Sequence, residues 1–225
     1  MESQGWGRFE ILVIAGFIVV VALVLRYAYR WSQQRAAFVA KLAAAQGWAY
    51  SRTGDSDLKN RLEALFPTEQ FNPANVATVR SDGRTTPILF ECTYRARGGR
   101  NPGLGAGALV ASGAIGPDDP VVEIVASTPL NELLSGKKID LGDATFGHHY
   151  FVQSADPDAA RRLVGSGLRS ILIRHAAAGR WPRARINLGQ GHVALLIGAM
   201  ENQRAWLDVL NFMRDIESAL DENAR

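Results

Sequence analysis

The feature that most constrains this chain is a run of fifteen residues, 11–25, that contains no charged side chain and is mostly aliphatic. At about 1.5 Å per helical residue, the run is short for a hydrocarbon layer about 30 Å thick. Aromatic and basic residues on both sides extend it, so we expect a transmembrane helix over residues 9–31. The side chains predicted to lie at the membrane interface are Trp6, Arg26, Tyr27, Tyr29, Arg30 and Trp31.

A cleaved signal peptide is the alternative interpretation of the same segment. Signal peptides begin with a basic run, whereas residues 1–10 hold Glu2 and Glu10 against Arg8. No cleavage site of the small-x-small type follows Leu25. The sequence therefore favours an uncleaved anchor, preceded by a short extracytoplasmic N-terminus over residues 1–8.

The charge on either side of the span predicts its orientation. Residues 26–46 carry four basic side chains and no acidic one, whereas residues 1–10 carry one arginine and two glutamates. Because positively charged flanks stay in the cytoplasm, we expect the N-terminus outside and the C-terminal part inside. The single cysteine, Cys92, agrees with a reducing compartment, which needs no disulfide.

The location of the charge also bears on nucleic-acid binding. The whole chain has a net charge of +3, and residues 26–46 supply +4 of it while residues 1–10 supply −1. Residues 47–225 are therefore neutral overall. A protein that binds nucleic-acid phosphates carries excess positive charge on its folded part, so we expect no nucleic-acid partner.

Residues 32–46 predict a helical stalk that continues from the membrane span. The segment has strong helix formers and contains neither proline nor glycine, and Gly47 follows it as a stop signal. Phe38 and Leu42 lie four residues apart on one helix face. We expect this pair to dock the stalk on the domain or on a partner, while Arg35 and Lys41 lie too far from the lipid to be attracted strongly.

Residues 47–225 predict one α+β domain with a largely antiparallel sheet and packed helices. Two tight turns, at Asp82-Gly83 and at Gly189-Gln190-Gly191, separate segments with strand patterns. Capping residues and apolar stripes predict one helix capped by Asp55 or Ser56, one capped by Asp156 or Asp158, and one over residues 202–220. The order strand, helix, strand, turn, strand occurs twice, starting at Trp48 and at Tyr150, which favours a duplicated β-α-β-β unit.

The glycine-rich residues 98–117 predict a flexible loop that interrupts the sheet. Within it, residues 103–108 match the G-x-G-x-x-A pattern of dinucleotide-binding proteins. That pattern needs a strand that ends at its first glycine and a helix that starts at its last, and the surrounding sequence predicts neither. We therefore expect no cofactor. A loop that touches the membrane is the alternative, because Leu104, Leu109 and Ile115 are apolar.

No residue type in the domain occurs with the spacing of a catalytic or metal site. His148 and His149 are adjacent in a predicted strand over residues 146–153, so they should point to opposite faces of it. Cys92 shares a strand face with aromatic residues, which predicts a small core residue. Carboxylates such as Asp55 and Asp119 occur where turns and caps are expected. We predict no catalytic, cofactor-binding or metal-binding residue.

Four features resemble a family of uncharacterised bacterial single-span membrane proteins with an N-terminal transmembrane helix and a cytoplasmic α+β domain. They are GWAYSR at 47–52, ILFECTY at 88–94, residues 143–164 and a terminal helix that contains tryptophan. Members of the family carry an acidic-aromatic pair where this chain has Glu91-Cys92, and a more polar segment at 98–117. The resemblance implies a bacterial cytoplasmic membrane location and transfers no catalytic residue.

Three functional classes agree with these observations. The first is a non-enzymatic domain, anchored in the lipid bilayer, that binds a protein partner or serves as an accessory subunit of a membrane complex. The second is a lipid-proximal sensor that uses the basic stalk and the apolar glycine-rich segment. The third is an enzyme of unknown class, which no catalytic signature supports. The first class is favoured, because a neutral α+β domain on a stiff stalk carries no assembled chemistry.

Overall fold

A computed structural model describes residues 8–79, 86–99, 102–128, 138–179, 184–198, 200 and 202–223, with side chains from Leu12 onward. In chain order its elements are α1 (Arg8–Gln46), β1 (Ala49–Thr53), α2 (Ser56–Leu65), β2 (Glu69–Thr78), β3 (Ile88–Ala96), β4 (Gly103–Ala111), β5 (Val122–Ala126), α3 (Ala144–His149), β6 (Tyr150–Ser154), α4 (Pro157–Leu163), α5 (Ser166–Ala177), β7 (Arg185–Gly189), β8 (His192–Ile197) and α6 (Gln203–Asn223).

The eight strands form one sheet in the order β1-β2-β3-β4-β8-β7-β5-β6, and every pair of neighbours is antiparallel. The predicted α+β class with a largely antiparallel sheet is confirmed. The predicted order strand, helix, strand, strand occurs in both halves, but the pairing differs between them. In the first half, β1 pairs directly with β2, whereas β5 lies between β6 and β7 in the second half.

Helices cover both faces of the sheet. The larger core cluster joins one sheet face to the second half of α1 and to α4, α5 and α6, with Trp206 of α6 fully buried in it. The smaller cluster, on the opposite face, is covered by Leu58, Leu62 and Leu65 of α2. Burial of these side chains supplies most of the driving force for folding, at about 25 cal/mol for each Å² of apolar surface removed from water.

The long helix α1 changes character along its 39 residues. Its first part is exposed all round, and Leu12–Ala45 is the one described helix that is long and apolar enough to cross a membrane. Further along, the buried residues Ala36, Val39, Leu42 and Ala43 recur at helical spacing and face the sheet. Gly47 follows the helix with a φ of +69°, a conformation that glycine adopts readily, and begins the return to β1.

The prediction of a flexible loop at residues 98–117 is wrong, because Gly103–Ala111 forms strand β4 in the middle of the sheet. Its glycines recur at every second position and therefore lie on one face, where neighbouring side chains approach the backbone closely. A Cβ atom at Gly107 would lie 2.1 Å from the carbonyl oxygen of Leu195 and 3.0 Å from the ring of Phe90. These glycines thus permit close packing and do not indicate flexibility.

The apolar residues of the same segment are not available to a membrane as a loop. Ala108, Leu109, Val110 and Ile115 are buried, and they belong to the two core clusters. Leu104 is the exception, since 62% of its surface is exposed. The alternative of a membrane-touching loop is therefore wrong for most of these residues.

The predicted strand over residues 146–153 is also wrong in its first half. Asp143 caps a short helix, α3, by accepting a hydrogen bond from the backbone N–H of Phe146 at 3.0 Å. His148 and His149 end this helix with their ring centroids 5.1 Å apart, so they do not alternate across a strand. Within the described ranges, no three His, Cys, Asp or Glu side chains come together as a metal site.

The two predicted tight turns have different outcomes. Asp82-Gly83 lies outside the described residues. Gln190 and Gly191 form the second turn with φ values of +50° and +75°, and the strands on either side pair from Gly189 to His192. Two consecutive positive φ values are typical of the hairpin turns that match the twist of the strands.

Candidate functional site

A groove lies between α1 and the sheet at the point where the exposed part of the helix reaches the domain. Its volume is about 240 Å³. Trp31 and Arg35 line it from α1, and residues of β2, β3 and β4 line it from the sheet, among them Asn72, Glu91, Thr93 and Leu104. We call this cavity the α1 groove.

The floor of the α1 groove is a chain of hydrogen bonds, which we call the Arg35 cluster. Arg35 donates to Glu91 Oε1 through Nε at 3.0 Å and through Nη2, and its Nη2 also donates to the carbonyl oxygen of Met200 at 2.6 Å. Asn75 donates to Glu91 Oε2 at 2.7 Å and accepts from the hydroxyl of Tyr50 at 3.1 Å. The side chains of Arg35 and Glu91 are only 14% and 17% exposed. Arg35 thus joins α1 to β3 and to Met200, and Glu91 extends the chain of hydrogen bonds to Asn75 of β2 and Tyr50 of β1.

Asn75 can form hydrogen bonds within the Arg35 cluster because the pairing of β2 is irregular at this position. The pairing of β2 with β3 shifts between Ala74 and Ala77, which is the signature of a β-bulge. Asn75 lies in this bulge with a φ of +48°, a conformation that asparagine tolerates better than most residues. Because the extra residue interrupts the alternation of the strand, the amide of Asn75 reaches Glu91 and Tyr50 on the α1 face.

A second partly buried arginine lies on the opposite face of the sheet, in what we call the Arg185 cluster. Arg185 donates to Glu123 Oε1 through Nε at 3.0 Å and Nη2 at 2.7 Å, and through Nη1 to Glu69. Its guanidinium lies 5.2 Å from the ring centroid of Phe66. Burial alone would lower the pKa of Arg185, but the charges of Glu123 and Glu69 outweigh it and raise the pKa above its usual value.

Cys92 lies in β3 between the two clusters. Burial, followed by the negative charges of Glu69 and Glu91, raises the pKa of its thiol to about 12. A thiol with this pKa is protonated at neutral pH and is a poor nucleophile. The prediction that Cys92 is a small core residue is confirmed, since its side chain is buried within the smaller core cluster.

The residues predicted at the membrane interface lie along the exposed part of α1, except Trp6, which is outside the described residues. Arg26, Tyr27, Tyr29 and Arg30 are exposed, and Trp31 lines the α1 groove. Of the two residues predicted to dock the stalk, Leu42 is buried in the larger core cluster and Phe38 packs against its edge. The guanidinium of Arg35 lies 5.3 Å from the ring centroid of Phe38.

Sequence reasoning missed the partners Arg35, Glu91 and Asn75 and the exposed position of Leu104. The sequence contains one indication of this site. Glu91 is the only charged residue between Pro87 and Thr93, and the other residues of this segment predict a buried strand. A lone carboxylate in such a strand needs a cationic or hydrogen-bonding partner. The sequence does not indicate which of its 25 basic residues supplies that partner.

Comparison with known proteins gives a likeness of fold. No protein-family model matches the chain, and no curated protein matches it. Among solved structures, the chain is similar to the mycobacterial trehalose monomycolate transport factor A, TtfA, with a TM-score of 0.58 and 16% sequence identity. The match covers 82% of this chain and 93% of that protein. At this level of identity the likeness is one of fold.

Proposed function

We propose that this chain is a non-enzymatic accessory subunit of a complex in the bacterial cytoplasmic membrane. In this proposal α1 spans the bilayer once, with the N-terminus outside, and holds the α+β domain on the cytoplasmic side. A protein of the same membrane binds the domain. The proposal needs no cofactor, metal ion or nucleic acid.

The observation that carries the proposal is the continuity of α1. The helix runs without interruption from an apolar segment that no part of the domain covers to residues that are buried in the core. Arg35 joins it to Glu91 and to the carbonyl oxygen of Met200. A domain fixed in this way keeps one orientation relative to the bilayer, which suits a subunit that presents a surface to a neighbouring membrane protein.

Two further observations support the proposal. The domain outside the basic flank is electrically neutral, which suits protein contact better than general binding to nucleic acid. The solved structure that matches over most of both chains is that of a protein named as a transport factor. A shared fold alone does not fix function, so the proposal needs a direct test.

Co-purification tests the proposal. The tagged full-length chain, extracted from its own membrane in mild detergent, should retain a membrane protein in stoichiometric amount. Arg35→Gln should lower the yield of that partner while the chain stays in the membrane, because the domain is no longer held in one orientation. Lys41→Gln is the matched control, since it removes a positive charge from an exposed position on the same helix. Recovery of the wild-type chain with lipid but without any protein partner would contradict the proposal.

The orientation needs an experiment of its own. A reporter fused after residue 225 should be active only if it is of the cytoplasmic kind. The expectation rests on four basic residues after the span against a net charge of −1 before it. Activity of a reporter that works only outside the cytoplasm would reverse the orientation, without affecting the partner experiment.

A lipid-proximal sensor is the second candidate, and one observation favours it. Trp31 and Leu104 are 45% and 62% exposed, and both line the same groove at the end of the apolar segment. The glycine-rich segment does not support the sensor candidate, because Gly103–Ala111 forms strand β4 of the sheet. Bound lipid without a protein partner in mild detergent would favour this candidate.

A further inference from the structure

The walls of the α1 groove are apolar near its membrane end. Trp31 directly follows the exposed segment of α1, and tryptophan is typical of the boundary between lipid tails and water. Leu104, at the start of β4, is the most exposed large apolar residue among the described parts of the domain that follow α1. Because both side chains line one cavity, apolar surface is present at the level where α1 leaves the bilayer.

The polar groups of the groove floor already have partners within the protein. One oxygen of Glu91 accepts from Arg35, and its other oxygen accepts from Asn75. Arg35 and Glu91 also neutralise each other's charge. A charged lipid headgroup would have to break these bonds in order to bind there, whereas an uncharged alkyl chain would leave them intact.

The size of the groove decides between two apolar occupants. One turn of an α-helix, taken as a cylinder about 10 Å wide and about 5.4 Å long, has a volume of about 420 Å³. The groove measures about 240 Å³, so a partner helix lying over it would place only single side chains inside, whereas a narrow alkyl chain can enter along its length. It has room for about eight groups the size of a water molecule, at about 30 Å³ each, which matches a short stretch of an alkyl chain.

We propose that the α1 groove binds an acyl chain of a bilayer lipid that leaves its leaflet beside Trp31. The chain lies between Trp31 and Leu104, along the groove wall that Asn72 and Thr93 form, and the headgroup stays outside the groove. The inference rests on the membrane anchoring in the proposed function and does not depend on the protein partner.

Photolabelling tests this site. The full-length chain is reconstituted without any other protein in phosphatidylcholine vesicles that contain a phosphatidylcholine with a diazirine on its acyl chain. After irradiation, mass spectrometry should find label in the peptide that contains Leu104, in addition to label in the membrane span. Leu104→Ser changes an exposed residue, so it should leave the fold intact, and it should lower this label by about tenfold because it removes the main apolar contact.

A filling variant distinguishes the groove from the surface around it. Thr93→Trp places a large side chain in the groove from an exposed strand position and should lower the label near Leu104 by about tenfold. Ser51→Trp is the matched control, because Ser51 is an exposed hydroxyl residue in β1, opposite Val76 of the smaller core cluster. Equal labelling in the two tryptophan variants, or label confined to residues 12–31, would overturn the proposal. Since no partner is present, either result would leave the co-purification experiment unaffected.

Discussion

Two partly buried arginines, Arg35 and Arg185, form ion pairs in different parts of the molecule. Arg35 and Arg185 each pair with a carboxylate that is more than fifty residues away in the chain. Each guanidinium also lies about 5 Å from the ring of a phenylalanine, Phe38 or Phe66. The two clusters therefore use the same chemistry on opposite faces of one sheet.

They differ in what they connect. Arg185 joins β7 to β5 and to the start of β2, so the elements that it holds all belong to the domain. Arg35 joins β3 to α1, the helix that also carries the apolar segment. Similar ion pairs therefore have different roles in this protein. The Arg185 cluster should stabilise the domain itself. The Arg35 cluster should fix the domain relative to α1.

The largest effect is expected at Arg185. Arg185→Met leaves the buried Glu69 and the partly exposed Glu123 without their cation, and we take about 3 kcal/mol, the low end for removal of one partner from a buried ion pair. Thermal unfolding of the full-length chain in detergent, followed by tryptophan fluorescence, should show a Tm lowered by about 9 °C. Arg162→Met, which removes an exposed partner of Asp119, is the control and should change the Tm little. Equal Tm values for both variants would refute a stabilising role for the Arg185 cluster.

A smaller and more local effect is expected at Arg35. In Arg35→Met, Glu91 keeps its hydrogen bond from Asn75, so the loss in the free energy of unfolding should be about 2 kcal/mol. Hydrogen exchange should speed up in the second half of α1 and in β1, and should stay unchanged in β5 and β7. Lys41→Met should leave both regions as in the wild type. Faster exchange throughout the sheet would mean that Arg35 stabilises the domain in the same way as Arg185.

Burial, followed by the charges of Glu69 and Glu91, raises the pKa of Cys92 from 9.0 in the unfolded chain to about 12 in the folded protein. Between these values the folded state keeps a proton that the unfolded state releases, so stability should fall as the pH rises from 9 toward 12. The slope is at most about 1.4 kcal/mol per pH unit. Denaturant unfolding of the wild type and of Cys92→Ala at pH 8 and pH 10 measures it. A wild type that loses no more stability than Cys92→Ala over this interval would contradict the raised pKa.

The smallest effect is expected at Tyr50, at the outer end of the Arg35 cluster. Tyr50→Phe removes one hydrogen bond, 3.1 Å long, to Asn75 and leaves the ring in place. The free energy of unfolding should fall by about 0.5 to 1 kcal/mol, measured by denaturant unfolding. A loss as large as that of Arg35→Met would show that the cluster acts as one cooperative network and not as separate bonds.

Most of the architecture could be predicted from local patterns. The apolar run at residues 11–25, the helix start near Pro157 and the turn at Gln190 each depend on neighbouring residues, and the structure has a helix, a helix start and a turn at these places. Strand β4 could not be recognised, because its glycines have a purpose only beside Phe90 and Leu195, which lie elsewhere in the chain. His148 was assigned to a strand because the cap at Asp143 was not recognised.

The candidate site was harder to predict than the fold. The spacing of Arg35 from Arg26 and Arg30 predicts only its distance from the lipid and does not indicate a partner in the domain. Its partner Glu91 lies 56 residues away, and the link through Asn75 depends on a bulge that only the strand pairing reveals. Contacts of this kind depend on tertiary register, which a single sequence does not contain.

The uninterrupted course of α1 has a mechanical consequence. Between Phe17 and Gln46 the helix contains neither glycine nor proline, the residues at which helices usually kink. Its last fifteen residues extend about 22 Å beyond the predicted span and act as a lever arm. A thinner bilayer makes a long apolar helix tilt. If α1 spans the bilayer as proposed, a tilt of about 10° would move the end of this lever by about 4 Å, and a change in membrane thickness would displace the whole sheet.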